Sequence, residues 1–494
     1  MGYSPRFLQN LLSLQSKTKN INELYYKRHI DRYLLKWKDS PRLKPLLLRG
    51  ARQVGKSWSL RHLGESFEHF AEVNFELQPE FKVIFQEVSD VREIISRIST
   101  LLNVPIVEGN TLLFLDEIQA CPEALHCLWS FKENMPKLHV AAAGSLLEFT
   151  LKEMPSFGVG RIRSMFMYPM SFDEFLSAVG RDSWIEAKRR AGYQHPVPTE
   201  LHDALVQQFR SFLMVGGMPS SVSAWVETHD YNECALEQED LQQSYYDDFA
   251  KYSKNVDPML LRNTLRSVIA QTGDKFVYSR VEGGYRNEEV KKALTMLCDA
   301  GIVKLVQHSA ANGVPLGAEV NDKFRKYNYL DSGLMLRILD LELGGVQTVT
   351  ELILTGAAHD LVNKGPLTEM VAGWEMIKNL PPSTSHELYY WENLSDGGTS
   401  EVDYLIARDM KVHPVEVKSE VTGKMKSLRS FMQRKHILRA FRCSLENFGI
   451  IDFIDKEDTK YPTTAKRIFI HPLYNIKSLV AAPLTEINDR EAED

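Results

Sequence analysis

The sequence predicts an α/β protein whose first part is a parallel sheet covered by helices. Short apolar segments of strand length alternate with helical patterns between residues 45 and 149. That alternation is typical of parallel strands joined by helices. Two of the apolar segments also end in residues suited to phosphate or metal ions, and open α/β sheets bind ligands at the carboxyl ends of their strands.

The first strand segment, Leu46–Arg49, runs into a glycine-rich loop and then a helical pattern. The spacing Gly-x-x-x-x-Gly-Lys-Ser is that of a phosphate-binding loop (Walker A), whose glycines let backbone amides turn towards phosphates. Lys56 is predicted to assist catalysis beside the β- and γ-phosphates, and Ser57 to ligate Mg²⁺. The alternative is a glycine-rich turn with an unrelated lysine. The predicted nucleotide-binding residues are Gly50, Ala51, Arg52, Gln53, Val54, Gly55, Lys56, Ser57 and Trp58.

The apolar segment Thr111–Asp116 ends in two carboxylates, Asp116 and Glu117. A run of this kind is typical of a strand buried on both faces. We predict that Asp116 holds Mg²⁺ and that Glu117 is the catalytic base that polarises the attacking water (Walker B). The alternative is a strand end whose carboxylates have no catalytic role. Together the two motifs predict a P-loop NTPase parallel sheet domain that binds ATP and Mg²⁺.

Two polar residues after the next strand segment, Leu138–Ala143, are further candidates. Ser145 is predicted to contact the γ-phosphate or to position the water. It also fits the cap of the helix that follows, and the two roles are compatible. Arg161 is the candidate arginine finger, reaching a γ-phosphate in its own subunit or in a neighbouring one. The alternative for Arg161 is a basic pair on the surface with Arg163.

The composition excludes several classes of protein. The chain has 494 residues, of which 44% are hydrophobic and 25% charged, and a net charge of −6, so attraction to nucleic acid has to be local. It contains no apolar run of about 18 residues and no signal-peptide pattern. The five cysteines lack the spacing of a disulfide framework or a zinc site. We therefore expect a cytoplasmic protein.

The middle of the chain begins with a short predicted strand at Phe166–Met170 and a helix capped by Ser171. Helical patterns then continue to Lys251. Between residues 258 and 330, helices precede two strand segments, an order typical of a winged-helix fold. Winged helices bind DNA in many proteins and serve as packing modules in others. The second of these helices, residues 287–298, is not strongly basic, which weakens the DNA-binding interpretation.

A second polar constellation is predicted on a hairpin at residues 401–418. Glu416 and Lys418 are two residues apart, so they face one side of a strand, where Asp403 can join them. Asp403, Glu416 and Glu369 are candidate ligands of a second Mg²⁺, and Lys418 is the candidate catalytic lysine that orients or deprotonates water, as in PD-(D/E)xK nucleases. The alternative is a hairpin with an ordinary surface ion pair.

A basic segment follows the hairpin. Its side chains are predicted to share a helix and to accept a phosphate backbone, although such a run is more commonly a solvated surface. The segment comprises Lys424, Lys426, Arg429, Arg434, Lys435, Arg439 and Arg442.

The chain resembles a large prokaryotic family of AAA-type ATPases (AAA+ superfamily) that carry a C-terminal domain of unknown function with a PD-(D/E)xK nuclease-like fold. The resemblance runs from Tyr25 to Phe448, and the Arg52-Gln53 pair within the loop is more specific than the loop itself. Besides the residues above, it rests on the segments 114–119, 144–145, 160–161, 168–175, 216–219 and 329–334. It implies an ATPase domain, a winged-helix middle and a nuclease-like end.

We therefore expect an N-terminal helical segment (1–40), a P-loop AAA-type ATPase core (41–180), a helical region or lid (181–255), a winged-helix-like domain (256–340), a C-terminal α/β PD-(D/E)xK nuclease-like domain (341–480) and a disordered acidic tail (481–494). The expected function is Mg²⁺-dependent ATP hydrolysis coupled to a domain that cleaves or binds nucleic acid. The alternative is a nucleotide-gated switch or scaffold with an inactive nuclease-like fold. Expected partners are ATP, DNA or RNA and further copies of the chain, without a membrane.

Overall fold

Two β-sheets organise the chain in the computed structural model, which describes residues 25–144, 147, 151, 160–251, 256–343, 364–393, 400–419 and 425–481. The strands of the first sheet are β1 (Leu46–Arg49), β2 (His69–Asn74), β3 (Thr111–Asp116), β4 (His139–Ala143) and β5 (Arg163–Phe166). Those of the second are β6 (Val303–Ser309), β7 (Val320–Tyr329), β8 (Leu388–Glu392), β9 (Glu401–Arg408), β10 (Lys411–Val417), β11 (Arg439–Ser444), β12 (Gly449–Ile454) and β13 (Ala465–Pro472).

Helices pack on both faces of each sheet. They are α1 (Asp31–Lys38), α2 (Lys56–Gly64), α3 (Glu80–Glu87), α4 (Val91–Leu102), α5 (Pro122–Asn134), α6 (Phe172–Ala178), α7 (Asp182–Arg190), α8 (Thr199–Val215), α9 (Pro219–Thr228), α10 (Tyr231–Lys251), α11 (Pro258–Ala270), α12 (Asn287–Asp299), α13 (Ser332–Leu343), α14 (Lys364–Lys378), α15 (Lys426–Arg434) and α16 (Ile476–Ala481). Among the described residues, no helix is both long and apolar enough to cross a membrane.

The first sheet is parallel and has the strand order β2-β3-β4-β1-β5. Every residue of β3 is buried, because its alternating side chains enter two different cores. Leu113 and Leu115 pack with α3, α4 and α5, whereas Leu112 and Phe114 face the larger core on the other side. The predicted parallel sheet is therefore present.

Strand β5 lies earlier in the chain than the sequence predicts. It covers Arg163–Phe166 instead of Phe166–Met170, and it pairs with β1 over the whole length of that strand. After Arg49, strand β1 turns away into the glycine-rich loop, so the pairing between β1 and β5 ends there. Ser171 caps α6 as predicted, in a capping box with Glu174.

A close junction joins α8, α9 and the start of α13. Gly216 has a φ of +74°, and a Cβ there would lie 2.1 Å from Oδ1 of Asp331. The amide of Gly217 donates to Oδ2 of the same carboxylate at 2.7 Å. The segments 216–219 and 329–334, which the family resemblance singled out, therefore hold the helical region against the strand that ends at Tyr329.

The second sheet has the order β12-β13-β11-β10-β9-β8-β6-β7 and mixes parallel and antiparallel pairs. Strands β6 and β7 form the predicted two-stranded ribbon, but the other edge of β6 pairs in parallel with β8. The ribbon consequently belongs to the same sheet as the C-terminal strands. This sheet is continuous across residue 340, where the sequence predicts a boundary between two domains.

The basic segment does not form one helical face. Helix α15 ends at Arg434, and both Arg439 and Arg442 lie on strand β11. Arg442 is buried beside Glu446, because alternating apolar residues draw β11 into the centre of the sheet. Lys424, the segment 1–24 and residues 482–494 of the predicted tail lie outside the described residues.

Candidate functional site

The glycine-rich loop connects β1 to α2 at the carboxyl edge of the first sheet. Gly50 and Gly55 have φ values of +145° and +99°, and Gln53 also has a positive φ of 62°. A Cβ on Gly50 would lie 2.1 Å from the carbonyl oxygen of Met167. Glycine is required there by both the backbone angle and the close approach of the chain that follows β5.

Lys56 lies within the curl of this loop. Its Nζ donates to the carbonyl oxygens of Gly50 at 3.0 Å and Ala51 at 2.7 Å. Burial lowers the pKa of Lys56 to about 8, although the nearby carboxylates of Glu117 and Asp116 oppose that shift. A desolvated ammonium group interacts more strongly with a phosphate than an exposed one does.

Ser57 and Asp116 meet where β3 ends beside the start of α2. The Ser57 hydroxyl oxygen lies 3.0 Å from each carboxylate oxygen of Asp116, and Asn74 Nδ2 donates to Oδ2 at 3.1 Å. Burial, together with the neighbouring Glu117, raises the pKa of Asp116 to about 6. A hydroxyl and a carboxylate so close together fit a magnesium ion, which prefers oxygen ligands.

Glu117 is held by Gln119, which the sequence analysis included in the segment 114–119 but gave no role. Glu117 Oε2 accepts a hydrogen bond from Gln119 Nε2 at 2.5 Å. The other amide atom of Gln119 packs on Gly144, where a Cβ would lie 2.0 Å from Oε1. Gly144 therefore leaves the space in which Gln119 orients the candidate base. The sequence signal for this contact was the spacing, because Gln119 follows Glu117 by only two residues.

Arg161 does not lie near the phosphate loop of its own chain. It precedes β5, whose first residue Arg163 pairs with Leu46, the first residue of parallel β1. Arg161 is therefore at the amino edge of the sheet, opposite the loop, and it pairs with Glu133 at 2.9 Å. This placement corrects the expected role in the same subunit, and a role in a neighbouring subunit stays a prediction.

Two other predicted nucleotide-site residues have different outcomes. Trp58 lies in the first turn of α2 with 38% of its surface exposed, and the guanidinium of Arg61 sits over its ring at 5.8 Å. Ser145 lies outside the described residues.

Arg28 is a buried cation that the sequence analysis missed. It donates to the carbonyl oxygens of Val54 in the loop and Tyr168 after β5, both at 2.7 Å. Its Nε pairs with Glu174 at 3.0 Å. Arg28 thus fixes the loop against the chain before α1 and against α6. No local pattern reveals this contact, because Arg28 and Glu174 are 146 residues apart.

The arginine–glutamine pair of the loop contacts α10. Arg52 forms a salt bridge with Asp248, and the Arg52 carbonyl accepts from Tyr245 OH at 2.8 Å. Gln53 Nε2 donates to the hydroxyl of Ser244 at 3.2 Å. The two residues that make this loop specific therefore join it to the helical region.

A cluster of carboxylates lies on the second sheet, which we call the carboxylate cluster: Glu369, Glu401 and Asp403. One ligand oxygen from each lies within 4.8 Å of the others. Asp403 Oδ2 also accepts from the amide of Val417 at 2.6 Å. The structure thus brings together two predicted ligands, Glu369 and Asp403. Glu401 was missed, although its position two residues before Asp403 puts both on one side of β9.

Glu416 and Lys418 form an ion pair beside the carboxylate cluster, with 2.7 Å between Nζ and Oε1. Glu416 is buried, and its Oε2 has no hydrogen-bond partner among the residues that the structure describes. Burial lowers the pKa of Lys418, but Asp403 and Glu416 outweigh that effect and raise it overall. Lys418 is therefore a charged donor in this arrangement, which suits orienting water better than deprotonating it.

Lys326 of β7 reaches into the carboxylate cluster. Its Nζ lies 3.1 Å from Glu369 Oε1 and also pairs with Glu401 Oε1. Burial raises the pKa of Glu369 to about 8, with Asp403 and Glu401 adding to the effect and Lys326 opposing it. The three carboxylates offer the oxygen ligands that Mg²⁺ or Mn²⁺ prefers.

Three segments of the chain match family models. Residues 42–176 match a model described as an AAA domain, and both nucleotide motifs fall within them. Residues 206–343 and 364–464 match two domains of unknown function, DUF8612 and DUF4143. A search of curated proteins gave no match to this chain. Residues 42–176 are therefore similar to an AAA domain, and the models that match the two following segments specify no activity.

Several solved structures are similar to parts of the chain. The ORC1 protein of Aeropyrum pernix in complex with DNA has 12% identity and a TM-score of 0.27, covering 64% of this chain and 93% of that one. The Hsp104–ADP complex of S. cerevisiae has 11% identity and a TM-score of 0.28, covering 58% and 40%. The Drosophila ORC bound to DNA has 12% identity and a TM-score of 0.26, covering 69% and 94%. TM-scores of this size carry no argument about function.

Proposed function

We propose that the protein is a Mg²⁺-dependent ATPase whose nucleotide state acts on a C-terminal domain that binds nucleic acid. The observation that carries this proposal is the contact between Ser57 and Asp116, 3.0 Å from hydroxyl to carboxylate, beside the glycine-rich loop. A loop, a hydroxyl and a carboxylate in this relation suit the binding of a triphosphate with its metal ion.

Each residue has one role in the proposed hydrolysis. The loop amides and the Lys56 ammonium bind the β- and γ-phosphates, and Ser57 and Asp116 hold Mg²⁺, which neutralises phosphate charge. Glu117, oriented by Gln119 at 2.5 Å, accepts a proton from the attacking water. The burial of Lys56 and Asp116 strengthens these electrostatic interactions because bulk water is excluded.

Helix α14 supports coupling between the two regions. The amide of Phe172, which follows β5, donates to both oxygens of Glu375 at 3.2 Å, and Lys378 donates to the carbonyl of Met170 at 3.0 Å. The same helix carries Glu369 of the carboxylate cluster. These contacts join the chain after β5 to the helix that carries Glu369, and they support the proposed coupling.

The test compares ATP turnover by the wild type and by Glu117→Gln, with and without single- and double-stranded DNA and RNA. We expect Glu117→Gln to bind ATP normally and to lose at least about a hundredfold in turnover, because the base is removed. The matched control is Glu80→Gln, since Glu80 is exposed at the start of α3. Unchanged turnover in Glu117→Gln would refute the assignment of the base.

A scaffold function is the second candidate, and Lys326 is the observation that favours it. A carboxylate cluster in which a buried lysine already pairs with Glu369 and Glu401 is suited to a fold that binds nucleic acid without cutting it. The same assays distinguish the two candidates when the nucleic acid is inspected for cleavage. Retained, uncut nucleic acid in both the wild type and Asp403→Ala identifies a scaffold. Cleavage that Asp403→Ala abolishes identifies a nuclease.

A further inference from the structure

The carboxylate cluster already contains a cation supplied by the chain itself. We propose that Lys326 competes with a divalent metal ion for Glu369, Glu401 and Asp403, so that the cluster accepts the metal only when the lysine side chain leaves it. This inference rests on the C-terminal metal site considered in the sequence analysis. To that site the inference adds Lys326 as a competing cation, and it makes metal binding depend on the departure of Lys326.

The geometry makes the two cations mutually exclusive. The Lys326 ammonium pairs with one oxygen of Glu369 and one of Glu401, and the Lys326 side chain is only 1% exposed. A divalent ion bound by the same oxygens would lie about 2.0–2.6 Å from them. It would occupy the same space as the ammonium and be repelled by it. Removal of Lys326 leaves three close carboxylates without that neutralising charge, which favours a divalent ion.

Glu416 gives an independent indication that the space beside the carboxylate cluster accepts a further ligand. Its side chain is 4% exposed, and Lys418 pairs with only one of its oxygens. The other oxygen has no hydrogen-bond partner within the described part of the chain. An unsatisfied buried carboxylate oxygen is costly and needs an explanation. The amide of Val417, the residue after Glu416, donates to Asp403 Oδ2 at 2.6 Å, so Asp403 lies against the strand that carries Glu416.

The hairpin that carries Lys326 also begins beside the phosphate loop. Strand β6 follows Gly301, and a Cβ at Gly301 would lie 3.2 Å from the amide nitrogen of Ala51. Lys326 lies on the partner strand β7, in contact with β6 along most of its length. The loop expected to bind nucleotide therefore lies directly against the start of the hairpin that holds the lysine.

The test is direct Mn²⁺ binding to the full-length, nucleotide-free protein, followed by electron paramagnetic resonance. We expect Lys326→Met to bind Mn²⁺ at least about tenfold more tightly than the wild type, because an apolar side chain of similar length removes the competing charge. Adding Asp403→Asn to Lys326→Met should abolish the gain. The matched control is Lys323→Met, an exposed lysine of the same strand, which should bind as the wild type does.

A second variant covers the loss of folding that an unpaired carboxylate cluster can cause. Lys326→Gln is neutral and keeps an N–H donor in the side chain. Tighter Mn²⁺ binding in either variant, or refolding of either by Mn²⁺, supports the proposal. Unchanged affinity in a folded variant overturns it, and so does failure of both variants to fold with Mn²⁺, because Lys326 is then a purely structural partner. The ATPase proposal is tested separately, because its failure would be seen in ATP turnover and not in Mn²⁺ binding.

Discussion

Arg52 of the phosphate loop forms a salt bridge with Asp248 of α10, outside the AAA domain at residues 42–176. The Asp248 side chain is 4% exposed and that of Arg52 31%, so solvent screens the pair only in part. This ion pair joins the segment expected to bind ATP to the helical region that follows it.

The strength of this connection is measurable by a double-mutant cycle. We expect Arg52→Gln and Asp248→Asn to show a coupling energy of about 1 kcal/mol in urea unfolding, because the pair is half-buried. A second cycle on Arg286 and Glu289, which form an exposed pair within three residues, serves as the control and should give a smaller coupling. Strictly additive effects at Arg52 and Asp248 would mean that the pair contributes nothing to stability.

Nucleotide affinity should depend on pH through Lys56. Burial lowers its pKa to about 8 in the free protein, so the side chain is charged below that pH and loses its proton above it. Binding of a triphosphate favours the charged form and therefore requires proton uptake at higher pH. We expect ATP affinity to fall by up to about tenfold per pH unit above pH 8. Calorimetric titrations at several pH values measure this slope.

The variant Lys56→Met provides the comparison for that experiment. It should bind ATP more weakly than the wild type at neutral pH and show no decline above pH 8. An equally steep decline in Lys56→Met would assign the pH dependence to another group.

Replacement of Arg28 by methionine should destabilise the protein strongly. The change leaves Glu174 buried without its cation and removes the donors to Val54 and Tyr168. We expect a loss of about 3–5 kcal/mol in the free energy of unfolding. Chemical denaturation measures it. Arg32→Met, at an exposed position on α1, is the matched control and should be close to neutral. A small effect of Arg28→Met would show that the buried ion pair contributes little to the free energy of unfolding.

Gln119→Met should separate the positioning of Glu117 from its chemistry. The variant keeps the carboxylate but removes the donor at 2.5 Å that orients it. We expect kcat for ATP to fall by about tenfold with KM nearly unchanged, a smaller loss than in Glu117→Gln. Steady-state kinetics of both variants test this. A rise in KM with constant kcat would indicate that Gln119 acts on nucleotide binding instead.

The nucleotide site was largely predictable because its chemistry follows local patterns. Apolar runs identify buried strands such as Thr111–Asp116, which the structure reproduces residue by residue. The carboxyl ends of parallel strands lie at one edge, so Ser57 and Asp116 were expected to meet. Arg161 had two possible roles, and its position before the start of β5 puts it at the amino edge of the sheet, so only the role in a neighbouring subunit stays a prediction.

The missed residues are buried charges paired over long distances in the sequence. Lys326 and Glu401 are 75 residues apart, and Lys326 sits in a strand where a lysine ordinarily faces solvent. Arg28 likewise finds its partners only after three separate segments have packed together. Propensity and periodicity describe neighbours along the chain, so they carry no information about such pairs. Glu401 differs, because its spacing from Asp403 was a usable signal.

The shared edge between β6 and β8 limits how this protein can be dissected or recombined. A fragment that ends at residue 340 keeps the ribbon but loses β8, which leaves backbone donors and acceptors of β6 exposed for pairing with other molecules. Such a fragment is prone to precipitation or strand exchange. Exchange of the C-terminal part between relatives must therefore carry the ribbon with it, because β6 and β8 share one sheet.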